Sequence, residues 1–169
     1  MSTVNCLKKA TAAPKKFAKF GKLPGRPSAL IRLALADLRY VERHKKTFGV
    51  DMNSYAVKHS GKCHVCLGGA ALAGTVGFDV DKMGLDESAG ADYATLCDID
   101  DTFGDAATAA YALDCFRTGE LLEAFAMLDL EFPDHQVANT IYIVRYSDNP
   151  SLFKKQLGQL ADQLESIGY

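Results

Sequence analysis

Three groups of residues in this chain have the side-chain types and spacing that site chemistry uses. The first is His59-x3-Cys63-x2-Cys66, with Cys97 and Cys115 further along. Zinc takes four tetrahedral nitrogen or sulfur ligands, and C-x2-C is a common half-site. A second C-x2-C or an H-x3-H would complete the pattern, and the chain has neither. No metal is therefore assigned. Cys66 and Cys115 read instead as small buried hydrophobes, a normal fate for free cysteine. The second group is a candidate nucleophile. Cys63 or Cys66 at a helix N-terminus would have its thiolate stabilised by the dipole, and His59, His64 and His135 are the available bases. Nothing in the sequence sets a base and an orienting group beside either sulfur. The third group is Asp98-x-Asp100-Asp101-x3-Asp105. It fails as a calcium loop, because the sixth position from Asp98 is Phe103 where Gly is needed and the twelfth is Ala109 where Glu is needed.

The chain carries no phosphate loop, dinucleotide fingerprint, G-x-S-x-G elbow or H-E-x-x-H. Gly68, Gly69, Gly74 and Gly77 follow no evident strand and so make no nucleotide cradle. No catalytic residue and no cofactor is assigned. A cysteine- or zinc-dependent enzyme stands as the third of three functional readings.

Charge is sorted by position. Residues 1–36 hold eight basic side chains (Lys8, Lys9, Lys15, Lys16, Lys19, Lys22, Arg26 and Arg32) and no acid. Residues 37–169 hold 11 Lys and Arg against 21 Asp and Glu, a net charge of −10. The overall value of −2 conceals this division. Residues 1–26 lack helical or strand periodicity and read as a flexible basic arm. Phe17 and Phe20 lie among its lysines, where aromatics can stack on unpaired bases or dock in a partner's groove. Residues 79–134 hold 15 acids against Lys82 and Arg117. Asp86, Glu87, Asp92, Asp98, Asp100 and Asp101 are the densest part of this acidic surface.

The 169 residues are enough for one domain, placed at 27–169 after the arm. No apolar run approaches the ~20 residues of a membrane span. No secretory h-region opens the chain, and its basic start is Lys-rich and proline-interrupted, unlike a transit peptide. Five cysteines, an odd number, favour reduced thiols in a cytoplasmic setting.

Periodicity predicts the elements that must position these groups. A helix is expected over 28–47, capped by Ser28, with Ile31, Leu35, Leu38 and Val41 inward and Gly49 as its stop. Glu42 and Lys46 are spaced for an i,i+4 pair. Residues 48–62 read as a connection with at most one short turn or strand. Residues 64–75 read as a central buried helix, whose Gly68, Gly69 and Gly74 let a neighbour approach closely. Residues 78–104 read as loop-rich, with a short helix around 98–103. Asp105 is expected to cap a helix over 106–117, and Thr118 a second over 119–129 with Leu121, Leu122, Phe125 and Leu128 inward. Residues 134–147 suit helix or strand and are assigned to helix. Asn149 and Pro150 start a final helix with Phe153, Leu157, Leu160, Leu164 and Ile167 on one seam. That seam is short for a coiled coil and is expected to pack on its own domain. The whole is a mainly α fold, a compact bundle of about five or six helices.

The string Cys66-Leu67-Gly68-Gly69-Ala70-Ala71-Leu72-Ala73 has a C-x-x-G-A pattern on the predicted buried helix. With the acidic linker and short helices that follow, residues 28–130 resemble small uncharacterised helical proteins of bacteriophages and bacteria. The resemblance implies a phage or prokaryotic cytosolic protein that acts by binding, and it carries no catalytic residues. The first functional reading is accordingly a non-enzymatic protein that engages a host protein or assembly through charged surfaces. The second is nucleic-acid binding by Lys8, Lys9, Lys15, Lys16, Phe17, Lys19, Phe20, Lys22 and Arg26 of the arm.

Overall fold

The computed structural model describes residues 23–76, 101–133 and 142–169. Among these the fold is mainly α. Its α-helices are α1 (Pro27–Arg43), α2 (Leu67–Ala71), α3 (Asp101–Thr118), α4 (Leu121–Met127) and α5 (Pro150–Ser166). A small sheet holds β1 (Phe48–Val50), β2 (Val57–His59) and β3 (Lys62–Val65) in the order β1-β3-β2. The expected flexibility of residues 1–22 and the expected loops at 78–100 lie outside the described residues.

The long pair α1 and α5 forms the frame. Leu30, Ile31, Ala34, Leu35, Leu38 and Val41 of α1 are buried, as are Phe153, Leu157, Leu160, Ala161 and Leu164 of α5. The α5 seam thus packs within its own domain, against α1. Asn149 Oδ1 accepts the Leu152 amide at 2.9 Å and caps α5 as its sequence predicts. Arg32 of α1 reaches both Asp162 and Glu165 at 2.6 Å. All three groups are solvent-exposed, so these pairs orient the helices more than they hold them together.

A second tie is less exposed. Lys154 Nζ donates to both carboxylate oxygens of Glu42 at 2.6 Å, and the Tyr146 hydroxyl donates to Glu42 Oε1 at 2.7 Å. Glu42 therefore pairs across to α5 and not with Lys46. This tie also explains why 142–147 is not helical. Val144 gives its amide to Gln156 Oε1 at 2.8 Å and Tyr146 packs edge-on to Phe153, so tertiary partners replace the helical ladder. The helix expected over 134–147 is corrected for 142–147; residues 134–141 lie outside the described residues.

Other boundaries shift for identifiable reasons. Ser28 is buried inside α1, with Pro27 at its first position and Arg26 at the N-cap making no side-chain cap bond. The helix ends at Arg43, where the His44 amide bonds back to Tyr40 and Val41; Gly49 belongs to β1. α3 starts at Asp101, four residues before the expected cap Asp105, which lies within it. Glu120 occupies the N-cap position of α4, and the Thr118 hydroxyl donates to Glu120. Gly119 does break the chain between α3 and α4, with φ of 84°. Leu122 points outward at 68% exposure, not inward with Phe125 and Leu128.

The segment expected to be helical over 64–75 opens as strand. Val57–His59 and Lys62–Val65 form a hairpin across Ser60-Gly61, both at positive φ (52° and 74°). Positive φ at both central positions suits a tight hairpin turn. The helix begins at Leu67, with the Cys66 sulfur accepting the Gly69 amide at 3.3 Å. It passes into a π-helical turn over Leu72–Val76. The close approach expected from the glycines is present. A Cβ on Gly68 would lie 2.6 Å from the Ala110 carbonyl oxygen of α3, and one on Gly69 would lie 1.6 Å from that of Tyr55. Substituting Gly69→Ala should cost about 3 kcal/mol, because the obstacle is backbone and cannot rotate away. Gly158→Ala on α5, whose Cβ meets nothing within 4 Å, should stabilise by up to about 1 kcal/mol. Urea denaturation of the two variants checks both signs.

Asp37 of α1 meets the π-helical turn. The Thr75 hydroxyl donates to its Oδ2 at 2.7 Å, and a Cβ on Gly74 would stand 2.6 Å from its Oδ1. Burial raises the Asp37 carboxyl above its ordinary 3.8, against the opposing pull of the Thr75 bond. A carboxyl raised by folding holds its proton more tightly in the folded chain, so stability falls as pH rises through the window just above the ordinary value. Asp37→Asn should therefore be more stable than the parent at neutral pH, with the difference closing as pH falls toward 3.8. Denaturation midpoints across a pH series measure this.

Candidate functional site

The histidine–cysteine cluster is taken apart by strand geometry. Side chains alternate across a strand, so Cys63 and His64 face opposite sides of the sheet. His59 pairs with Lys62 and Val57 with His64, which puts His59, Lys62 and His64 on one face. The His59 and His64 rings meet edge-on with centroids 5.9 Å apart. Cys63 lies on the other face, opposite Phe48 and Lys58. Cys66 is turned into the core as the cap of α2. Among the described residues no three His, Cys, Asp or Glu side chains gather as a metal site.

The thiols follow their surroundings. Burial pushes Cys66 up to about 12, only partly offset by the Gly69 amide. Cys115 on α3 is also pushed up to about 12, first by burial and then by Glu123, Glu120 and Asp114. Both sulfurs stay protonated at neutral pH, and the thiol is a poor nucleophile. The helix-terminus effect expected to activate Cys66 is outweighed by desolvation.

A broad concavity lies between the 50–53 strand end, the C-terminus of α3 and the 142–147 segment, with a volume of about 780 Å³. Its polar wall groups are mostly committed to the protein itself. Arg117 bonds Asp114 and gives Nη2 to the Met52 carbonyl at 2.8 Å. Asp51 Oδ1 accepts the amide and side chain of Asn53 at 3.0 and 2.9 Å. These bonds fix the 51–54 loop on α3 and leave few groups to grip a ligand.

Among the described residues, two surfaces present charge of a single sign. The α3–α4 hairpin and the residues after it expose Asp105, Glu120, Glu123, Asp129 and Glu131. The cation of that stretch, Arg117, is already paired with Asp114. Between Glu120 and Glu123, Leu122 stands in solvent beside a notch of about 400 Å³ walled by Gly119, Leu121 and Phe132. Phe132 is held from behind by Phe125, edge-on at 5.4 Å. Tyr111 donates to Glu123 at 2.8 Å, which fixes that carboxylate at the rim and raises the tyrosine to about 12.

The opposite charge gathers where α1 ends. Arg39, Arg43, Lys45 and Lys46 lie along its last turns and the turn that follows, and Lys62 lies half-exposed on β3. Tyr40 is 43% exposed, and His44 stacks on it with centroids 3.9 Å apart. The His44 Nδ1–H donates to the Tyr40 carbonyl at 2.8 Å, which locks the ring in that stack.

Of the residues that the sequence singles out, Lys8, Lys9, Lys15, Lys16, Phe17, Lys19, Phe20 and Lys22 lie outside the described residues, as do Asp86, Glu87, Asp92, Asp98 and Asp100. Asp101 is the first residue of α3, and Arg26 is exposed just before α1. The basic cluster on α1 and the sheet is not among the groups that the sequence singles out. Its signal is local: residues 39–62 hold six Lys and Arg against Glu42 and Asp51. The −10 of residues 37–169 masks it. No helix of the described residues is long and apolar enough to cross a membrane.

Comparison with known proteins gives no match: no family model fits the chain, and no curated protein or solved structure is significantly similar to it.

The thiol environments have a direct readout. Among Cys63, Cys66 and Cys115, alkylation of the native protein, mapped by peptide mass, should modify half-exposed Cys63 first and leave the other two protected until denaturant is added. Native labelling of Cys66 at the rate of Cys63 would contradict its burial.

Proposed function

We propose that this chain is a non-enzymatic binding protein that engages a basic protein partner through the acidic α3–α4 face. One observation carries the reading: exposed Leu122 stands between Glu120 and Glu123 at the mouth of an apolar notch. Binding sites concentrate their energy in an apolar anchor and use a charged rim to steer and select. Here the anchor and a single-sign rim are on the same short stretch. The partner's side is then a segment with an apolar residue flanked by Lys or Arg. The resemblance of Cys66–Ala73 to phage and bacterial proteins is the ground for expecting that partner to be a host protein or assembly in the cytosol.

The test is capture by the purified full-length chain, with nuclease, across a salt series. A stoichiometric protein partner should persist after nuclease and be released by about 1 M salt, where exposed charges are screened within ~3 Å. Glu120→Lys with Glu123→Lys, and separately Leu122→Asp, should each abolish capture while leaving the melting temperature unchanged. A partner that survives high salt, or that both variants retain, rules the reading out.

A further inference from the structure

We infer that the end of α1 and the turn into β1 form a second binding surface, for single-stranded nucleic acid. This goes beyond the acidic face and does not depend on it. The surface is a single short stretch of chain. The His44–Thr47 turn leads directly into β1, and the Cys63 amide of β3 donates to the Thr47 carbonyl at 3.0 Å. Gly49 of β1 is covered by the His64 ring, since a Cβ there would fall 2.5 Å from it. Tyr40 and His44 stack at one end of this strip, and Phe48 meets Tyr40 edge-on at 6.3 Å. Phe48 shares the sheet face of Cys63, so His59, Lys62 and His64 lie on the opposite face and are not part of this surface.

Among the described residues of this stretch, no carboxylate is left free to pair with these cations. The two acids of this stretch are occupied, Glu42 by Lys154 and Tyr146, and Asp51 by Asn53. A polyanion would therefore meet the positive charge of Arg39, Arg43, Lys45 and Lys46 with little competition.

The rings narrow the class. Unpaired bases stack on Tyr and His faces, and phosphates pair with the flanking Lys and Arg. A bilayer would ask for aliphatic or Trp anchors at such a patch. Exposed Leu122 and Leu152 are on α4 and α5, and Tyr40 is the large exposed hydrophobic of the strip. A duplex keeps its bases stacked on each other and has no use for the rings.

The experiment is fluorescence anisotropy of the full chain with an end-labelled oligouridylate of about 20 nucleotides, in a salt series. Parallel titrations use a duplex of equal length and vesicles of phosphatidylcholine with about one-third phosphatidylserine. The single strand should bind most tightly. Reversing Arg43, Lys45 and Lys46 to Glu should weaken it at least about tenfold. It should also flatten the log–log salt slope by about 2, since each phosphate no longer neutralised removes ~0.7 from that slope. Tyr40→Ala should weaken binding about fivefold or more with the slope unchanged, and Tyr40→Phe, which keeps the ring, should restore it. Melting curves confirm that the variants fold. Unchanged affinity and slope in the charge-reversed variant, equal affinity for the duplex, or binding to vesicles without binding to the oligonucleotide would each overturn the inference.

Discussion

The packing on which the rest of this structure depends is made by hydrogen atoms. Gly68 and Gly69 have no Cβ, so α2 can rest its backbone against α3 at Ala110 on one side and against the Tyr55 carbonyl on the other. The alanines of α3 continue this economy, with Ala106, Ala107, Ala109, Ala110 and Ala112 buried. Small side chains let three backbones meet at distances that leucines would forbid. Because α2 is pinned there, β3 just before it and the 51–56 loop beside it have fixed positions. The sheet and its outward-facing rings are therefore built on a close-packed base.

From this base the molecule separates its charges. α1 ends against the sheet and presents arginines and lysines there, with its own Glu42 withdrawn to Lys154. The α3–α4 hairpin presents carboxylates, with its own Arg117 withdrawn to Asp114 and the Met52 carbonyl. In each case the minority charge is committed to an internal tie, and the majority charge faces water. Among the described residues, the same bonds that join the elements thus leave each of these two faces with one sign, and a field of one sign steers a partner and rejects the wrong one. The binding reading and the nucleic-acid inference both draw on this arrangement.

The candidate chemistry of the chain shows how little linear spacing says when its secondary structure is misjudged. His59, Cys63 and Cys66 are spaced like ligands on a helix or knuckle. In the hairpin, the two-residue period of the strands sends His59 and Cys63 to opposite faces. Just past β3 the chain turns into α2, and Cys66 becomes its cap. The clue lies in Ser60-Gly61, a turn dipeptide between two short runs. Strands of three and four residues are too short for alternation to stand out from a connection.

What the sequence determined by itself was the local and the strongly periodic. The α5 cap at Asn149-Pro150, the seams of α1 and α5, the break at Gly119 and the close approach at Gly68-Gly69 all follow from residue type and spacing within one or two turns. The mainly α class follows from those. Tertiary structure decided what depends on partners distant in the chain. Glu42 chose Lys154, 112 residues away, over Lys46, because a less exposed pair that also takes a Tyr146 hydroxyl outweighs a solvated one. Val144 chose Gln156 over a helical ladder. Leu122 stayed in water because α4 is seven residues long and turns Phe125, not Leu122, onto the aromatic cluster. The basic surface emerged only when the end of α1 turned into β1 and set Tyr40 and His44 among its arginines and lysines. Charge counted along a chain averages over neighbours that folding separates and divides neighbours that folding joins.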